Sequence, residues 1–253
     1  VTQKSFFLLY RSRWSHLITS LGSALFGFIY IAIWESVLVG KVLPAGYQME
    51  DFIQYIVISQ LVLQMTVFLT PDLDLEEKFQ SGMIEMELMR PTSFLGTQVC
   101  VEFGKIVYRV LFRTIPVLIV FVLVLQLPKL PELSHFLLFT VSLILAIWLA
   151  IQMCYTIGII TCWLEDVRWL FTLYMSLLLF FGGQMIPIDI FPAWLQMIAR
   201  SLPFACIIND PIQFFLGRFQ GFELGFSLSW GVFFTFCNIW LTHQARLRIA
   251  KGG

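Results

Sequence analysis

Residues 135–164 read HFLLFTVSLILAIWLAIQMCYTIGIITCWL, a run of 30 residues without one Asp, Glu, Lys or Arg. A helix crossing the roughly 30 Å hydrocarbon core of a bilayer needs about 20 apolar residues, and this stretch exceeds that. A surface helix of a soluble protein would show a polar stripe, which is missing here. The run therefore reads as a membrane span, and the rest of the chain is read outward from it.

On its C-terminal side the charges of Glu165, Asp166 and Arg168 end the run, and a second apolar segment follows over 168–188. Upstream, Leu17 to Trp34 and Phe52 to Leu69 are each free of charge for 18 residues, and so is Leu224 to Leu241. With a longer segment over 98–127 these give six predicted spans: 17–39, 52–70, 98–127, 135–164, 168–188 and 223–243. The predicted fold is an all-α integral membrane domain covering 1–253. Composition agrees: 58% of residues are hydrophobic and 13% charged, with mean hydropathy +0.84. Soluble domains carry about 25% charged residues. Sixteen basic residues against sixteen acidic ones leave no net charge with which to attract nucleic acid.

The third span carries Lys105, Arg109 and Arg113, four apart and so on one helix face. Such a stripe fixes helix depth by snorkelling while facing protein; alternatively Arg113 pairs with an acid or touches substrate. Placing both termini, the loop after span two, the base of span three and the loop after span four on one side collects twelve Lys and Arg, against four on the other (Lys41, Lys129, Arg200, Arg218). That asymmetry predicts cytoplasmic termini. The first span is too long for a signal-peptide core and no A-x-A site follows it, so it is expected to stay as an anchor. Ahead of it, Phe7, Tyr10, Trp14 and Leu17 share one face, which predicts an interfacial helix over 4–16.

Two segments are not spans. Residues 72–93, predicted cytoplasmic, hold acids at Asp72, Asp74, Glu76 and Glu77, then Gly82, then Pro91. Acids favour a helix start, glycine a tight turn and proline a stop, so a short, bent, amphipathic element is expected. Residues 189–222, predicted external, include Pro192, Pro203 and Pro211. They are too apolar for an open loop and too broken for a span, which predicts short helices dipping into the outer leaflet.

Catalytic signatures are missing. The sequence has no G-x-S-x-G, no H-E-x-x-H and no G-x-x-x-x-G-K-[ST]. His16, His135 and His243 fall at predicted membrane boundaries, and the five cysteines show no metal spacing. No enzyme activity, metal or cofactor is expected on this chain. Glu35 lies at the outer end of span one, and no carboxylate is expected near the midplane of a span, which argues against a proton-coupled carrier. Gln60, Gln64, Gln152 and Gln184 suit either helix-to-helix hydrogen bonds or a polar path.

The order of these parts, with Ser81-Gly82-Met83-Ile84-Glu85-Met86-Glu87-Leu88-Met89-Arg90-Pro91-Thr92-Ser93 inside and Phe191-Pro192-Ala193-Trp194-Leu195 outside, resembles the type-2 ABC exporter permeases of bacteria, which export drugs, peptides and polysaccharides. The resemblance implies two permeases, identical or related, in the bacterial inner membrane above a dimer of cytoplasmic ABC ATPases that bind the ATP and Mg. It further implies a coupling helix seated in the ATPase, with Gly82 at the bend, Glu85, Glu87 and Arg90 as polar contacts, and Met83, Ile84, Met86 and Met89 as an apolar surface ending at Pro91. The alternative for this segment is a cap on the bundle at the inner interface.

If spans two and five line a path, as the resemblance implies, the groups on offer are Ser59, Gln60, Gln64, Thr66, Tyr174, Ser176 and Gln184 among Met, Phe and Leu. Such a lining suits an amphipathic or hydrophobic solute better than an ion. Importer-type ABC permeases share the Glu76 to Gly82 spacing, but their alanine pair and I-x-L-P are missing here. A membrane-embedded scaffold or sensor that transports nothing is the remaining alternative.

Overall fold

The computed structural model describes residues 13–38, 46–66, 73, 75–88, 93–125, 131–164, 166–219 and 221–250. Most of the expected interfacial helix lies outside these residues. The described chain is all-helical: α1 (Arg13–Leu38), α2 (Met49–Thr66), α3 (Leu75–Gln80), α4 (Met83–Leu88), α5 (Phe94–Leu125), α6 (Leu133–Ile160), α7 (Arg168–Phe181), α8 (Ala193–Ser201), α9 (Pro203–Ile207), α10 (Asn209–Leu216) and α11 (Glu223–Ala250). Among the described residues α5, α6 and α11 are long and apolar enough to cross a membrane, and Leu21–Val37 and Arg168–Phe181 are shorter apolar helices. Residues 13–16 continue into α1 without a break.

Helix α2 forms the centre of the bundle. Phe52, Tyr55 to Gln64 and Thr66 are buried, the polar Ser59, Gln60, Gln64 and Thr66 among them. Helix α1 crosses it with Ser23 beside Gln64 and Trp34 against Phe52, so the two run antiparallel. Helix α11 packs chiefly on α6, and that seam is held by polar groups. Asn238 Nδ2 donates to Gln152 Oε1 at 2.8 Å, Thr156 Oγ1 donates to Asn238 Oδ1 at 2.8 Å, and the Tyr155 and Thr242 hydroxyls lie 2.6 Å apart. Between helices in hydrocarbon, where no hydrophobic drive exists, such bonds and close packing hold the pair together.

Helix α5 contains one widened π turn over Val110–Thr114. Pro116 follows it, and a proline ring clashes with the carbonyl four residues back, here that of Phe112. The wider turn relieves that clash and carries Arg113 with it. Outside the core, α1, α6, α7 and α11 expose large apolar side chains, including Leu25, Phe26, Phe136, Leu137, Trp169, Phe233 and Phe236. A water-facing surface would not tolerate so much contiguous apolar area.

Candidate functional site

The hairpin of α3 and α4 stands at one end of the bundle. Ser81 and Gly82 make its turn, with Gly82 at φ +70° in the left-handed region that glycine alone enters without cost. Lys78 Nζ lies 2.9 Å from Glu87 Oε2, which also accepts from Gln98 Nε2 at 3.4 Å. The ion pair closes the hairpin, and the amide anchors it to the start of α5. Leu75, Ile84 and Leu88 turn inward; Ile84 is only 1% exposed. Met83 is 52% exposed, next to the exposed Gly82. Of the residues expected to contact an ATPase, Gly82 and Met83 are therefore presented, Glu87 braces the hairpin, and Ile84 packs within the chain. Glu85 and Met86 belong to α4, but their side chains lie outside the described residues, as do Met89, Arg90 and Pro91.

The basic stripe has an acid partner that the sequence reading missed. Glu102, 1% exposed, lies 2.6 Å from Lys105 Nζ, and its other oxygen is 3.9 Å from Arg109 Nη2. Arg109 and Arg113 are both buried, so they face protein. The i, i+3, i+7 spacing of Glu102, Lys105 and Arg109 was the available signal.

The residues expected along a path fall into separate groups. Gln64 Nε2 donates to Ser23 Oγ at 2.6 Å and Ser23 Oγ donates to Gln60 Oε1 at 3.5 Å, so both amides tie α2 to α1. Ser59 and Thr66 donate back to the carbonyls of Ile56 and Val62 within α2. Tyr174 is buried, its ring 6.2 Å from that of Phe204, and Gln184 is buried beyond the end of α7. Ser176 is exposed on α7 and donates to Thr172 O.

A second polar cluster closes the opposite end. Asp189 accepts from Arg200 Nη2 at 2.6 Å, from Tyr47 Oη at 3.0 Å and from Gln213 Nε2 at 2.8 Å. Tyr55 Oη donates to Gly183 O at 2.7 Å, and the Arg218 guanidinium lies 4.1 Å above the Tyr47 ring. Burial, with the Asp189 charge adding to it, holds the Tyr47 phenol well above its ordinary value. Asp210, 6% exposed, sits where α10 meets the start of α11; burial pushes its carboxyl up to about 6, with Glu223 adding and Asn209, Cys206 and Arg200 opposing. The cluster locks α8 and α10 to the start of α2.

Apolar helices of spanning length, glued by buried amides and hydroxyls and exposing hydrocarbon outward, define a multi-pass membrane protein. A family model described as ABC-2 family transporter protein matches residues 21–245, and the chain belongs to that family. Membership in this family makes the chain a membrane permease component of an ABC transporter, a class that works with an ABC ATPase. No curated protein matches the chain.

Proposed function

We propose that this permease belongs to an ATP-driven exporter that moves an amphipathic or hydrophobic solute, a drug, lipid or peptide, out of the bacterial cytoplasm. Six spans cross the inner membrane with both termini inside, and two copies, or this chain and a related permease, enclose the path. The observation that carries the reading is the braced hairpin of α3 and α4, which presents Gly82 and Met83 at the end of the bundle opposite the Asp189 cluster. A short element held rigidly to α5 by Gln98 can pass a push from a docked ATPase into a spanning helix. Among the described residues, the amides, hydroxyls and aromatic rings buried on α2 and α7 support an amphipathic cargo.

Reconstitution of the chain with its cognate ATPase in vesicles tests this. ATP-dependent movement of amphipathic cations, lipids or peptides away from the ATPase side is expected, and hydrolysis by the permease alone should be undetectable. Uptake toward the ATPase side, or hydrolysis that moves none of these solutes, would remove the exporter reading in favour of an importer or a scaffold.

A further inference from the structure

A cleft of about 320 Å³ lies between the first residues of α5 (Ser93, Phe94, Leu95) and the last turns of α11 (Ile239, Thr242, His243, Arg246). Small-molecule sites begin at roughly 300 Å³, so the cleft can hold a ligand headgroup. Its chemistry is divided. Phe94, Leu95 and Ile239 make an apolar floor, whereas Ser93, Thr242, His243 and Arg246 make a polar rim with cationic character and no acid. No described carboxylate pairs with Arg246.

The surroundings indicate what enters. Along α11 the exposed face is apolar through Phe233, Phe236, Ile239 and Trp240, and turns basic at His243 and Arg246 within about 10 Å of helix rise. That is the profile of a helix leaving hydrocarbon and meeting phosphates, with an interfacial tryptophan at the boundary. The cleft opens where that transition occurs. The first turn of α5, capped by the Ser93 hydroxyl, which accepts from Gly96 N at 3.2 Å, brings the positive end of a long helix to the same rim.

We infer that this cleft binds the phosphate headgroup of an anionic membrane phospholipid, with Arg246 and His243 on the phosphate and an acyl chain along Ile239 and Trp240. An acidic side chain of a protein partner would use Arg246 but leave the apolar floor unfilled. A lipid satisfies both halves. The inference rests on the chain being a membrane protein and is independent of transport direction.

The test uses the purified full-length chain in neutral detergent, without ATPase, titrated with short-chain phosphatidylglycerol while thermal unfolding is followed. A saturable rise in Tm is expected, with apparent affinity about tenfold weaker in Arg246→Gln, as the loss of one charge-assisted contact implies. Arg248→Gln removes the same charge on the same helix without touching the cleft and should bind like wild type. Phosphatidylcholine and inorganic phosphate should each give little shift. Equal weakening in both variants, no saturable shift with phosphatidylglycerol, or a matching shift with phosphatidylcholine or inorganic phosphate would overturn the site. So would an Arg246→Gln protein that binds the lipid normally but loses its ATPase on co-purification, which would assign the cleft to the ATPase.

Discussion

Lys78 Nζ and Glu87 Oε2 meet at 2.9 Å across the Gly82 turn, and this contact fixes α3 against α4. Both side chains are partly exposed, a setting in which such pairs contribute about 0–1 kcal/mol. The contact's effect is on the shape of the hairpin more than on the stability of the chain. Glu87→Gln should leave Tm nearly unchanged while amide hydrogen exchange over 75–88 accelerates. Unchanged exchange would show that the buried Leu75, Ile84 and Leu88 alone set the hairpin.

At Gly82 itself, any other residue must be held at φ +70°, costing about 1–3 kcal/mol locally, although open space surrounds the position. Gly82→Pro, which cannot reach that φ at all, should insert normally and lose most ATP-driven transport. Full transport by this variant would favour the reading of 75–88 as a cap on the bundle.

Glu102 lies 2.6 Å from Lys105 Nζ and 3.9 Å from Arg109 Nη2, and it is buried. Removing one member of a buried charge group costs about 3–5 kcal/mol because the remaining charge is stranded. Glu102→Gln should therefore lower Tm in detergent substantially, and more than Glu87→Gln does. Comparable small shifts in the two variants would contradict the buried ion pair.

The α6 to α11 seam is tight as well as polar. A Cβ on Gly231 would collide with the half-buried Trp148 ring, which would have to shift to admit it. Gly231→Ala should destabilise by about 1–3 kcal/mol through overpacking. Wild-type thermal stability in this variant would show that the helices sit further apart.

Asp210 predicts a pH dependence. Its carboxyl stands at about 6 in the folded chain against an ordinary 3.8, so the folded state holds the proton more tightly. Stability from this group is fully present below pH 3.8 and is lost as pH rises through about 6. The difference amounts to on the order of 3 kcal/mol. Wild type should lose Tm between these limits, and Asp210→Asn should flatten that slope. A slope of the same size in the variant would assign it to another group.

The class of fold and the family were legible because hydrocarbon imposes long charge-free runs, and the run over 135–164 admits few other readings. The chain's relation to ABC permeases was legible from the order of Gly82, Pro91 and the prolines of 189–222. What escaped was mostly long-range. Tyr47 meets Gln213 across 166 positions, and no local pattern announces that pairing. Glu102 sits one turn before Lys105, and that spacing alone does not decide whether an acid pairs within its own helix or with a neighbouring one. The π turn over Val110–Thr114 precedes Pro116, and a proline inside an apolar run can kink, end or widen a helix, so the local outcome depends on packing.

Docking of an ATPase on the α3–α4 hairpin is open to a direct crosslinking test. Single cysteines introduced at Met83 and, as a control at the opposite end, at Trp194, both exposed, can be placed in an otherwise cysteine-free chain co-expressed with its ATPase and treated with a short bifunctional crosslinker. A permease–ATPase adduct is expected from position 83 and none from position 194. An adduct from position 194 with none from position 83 would contradict both the coupling role of the hairpin and the orientation of the chain.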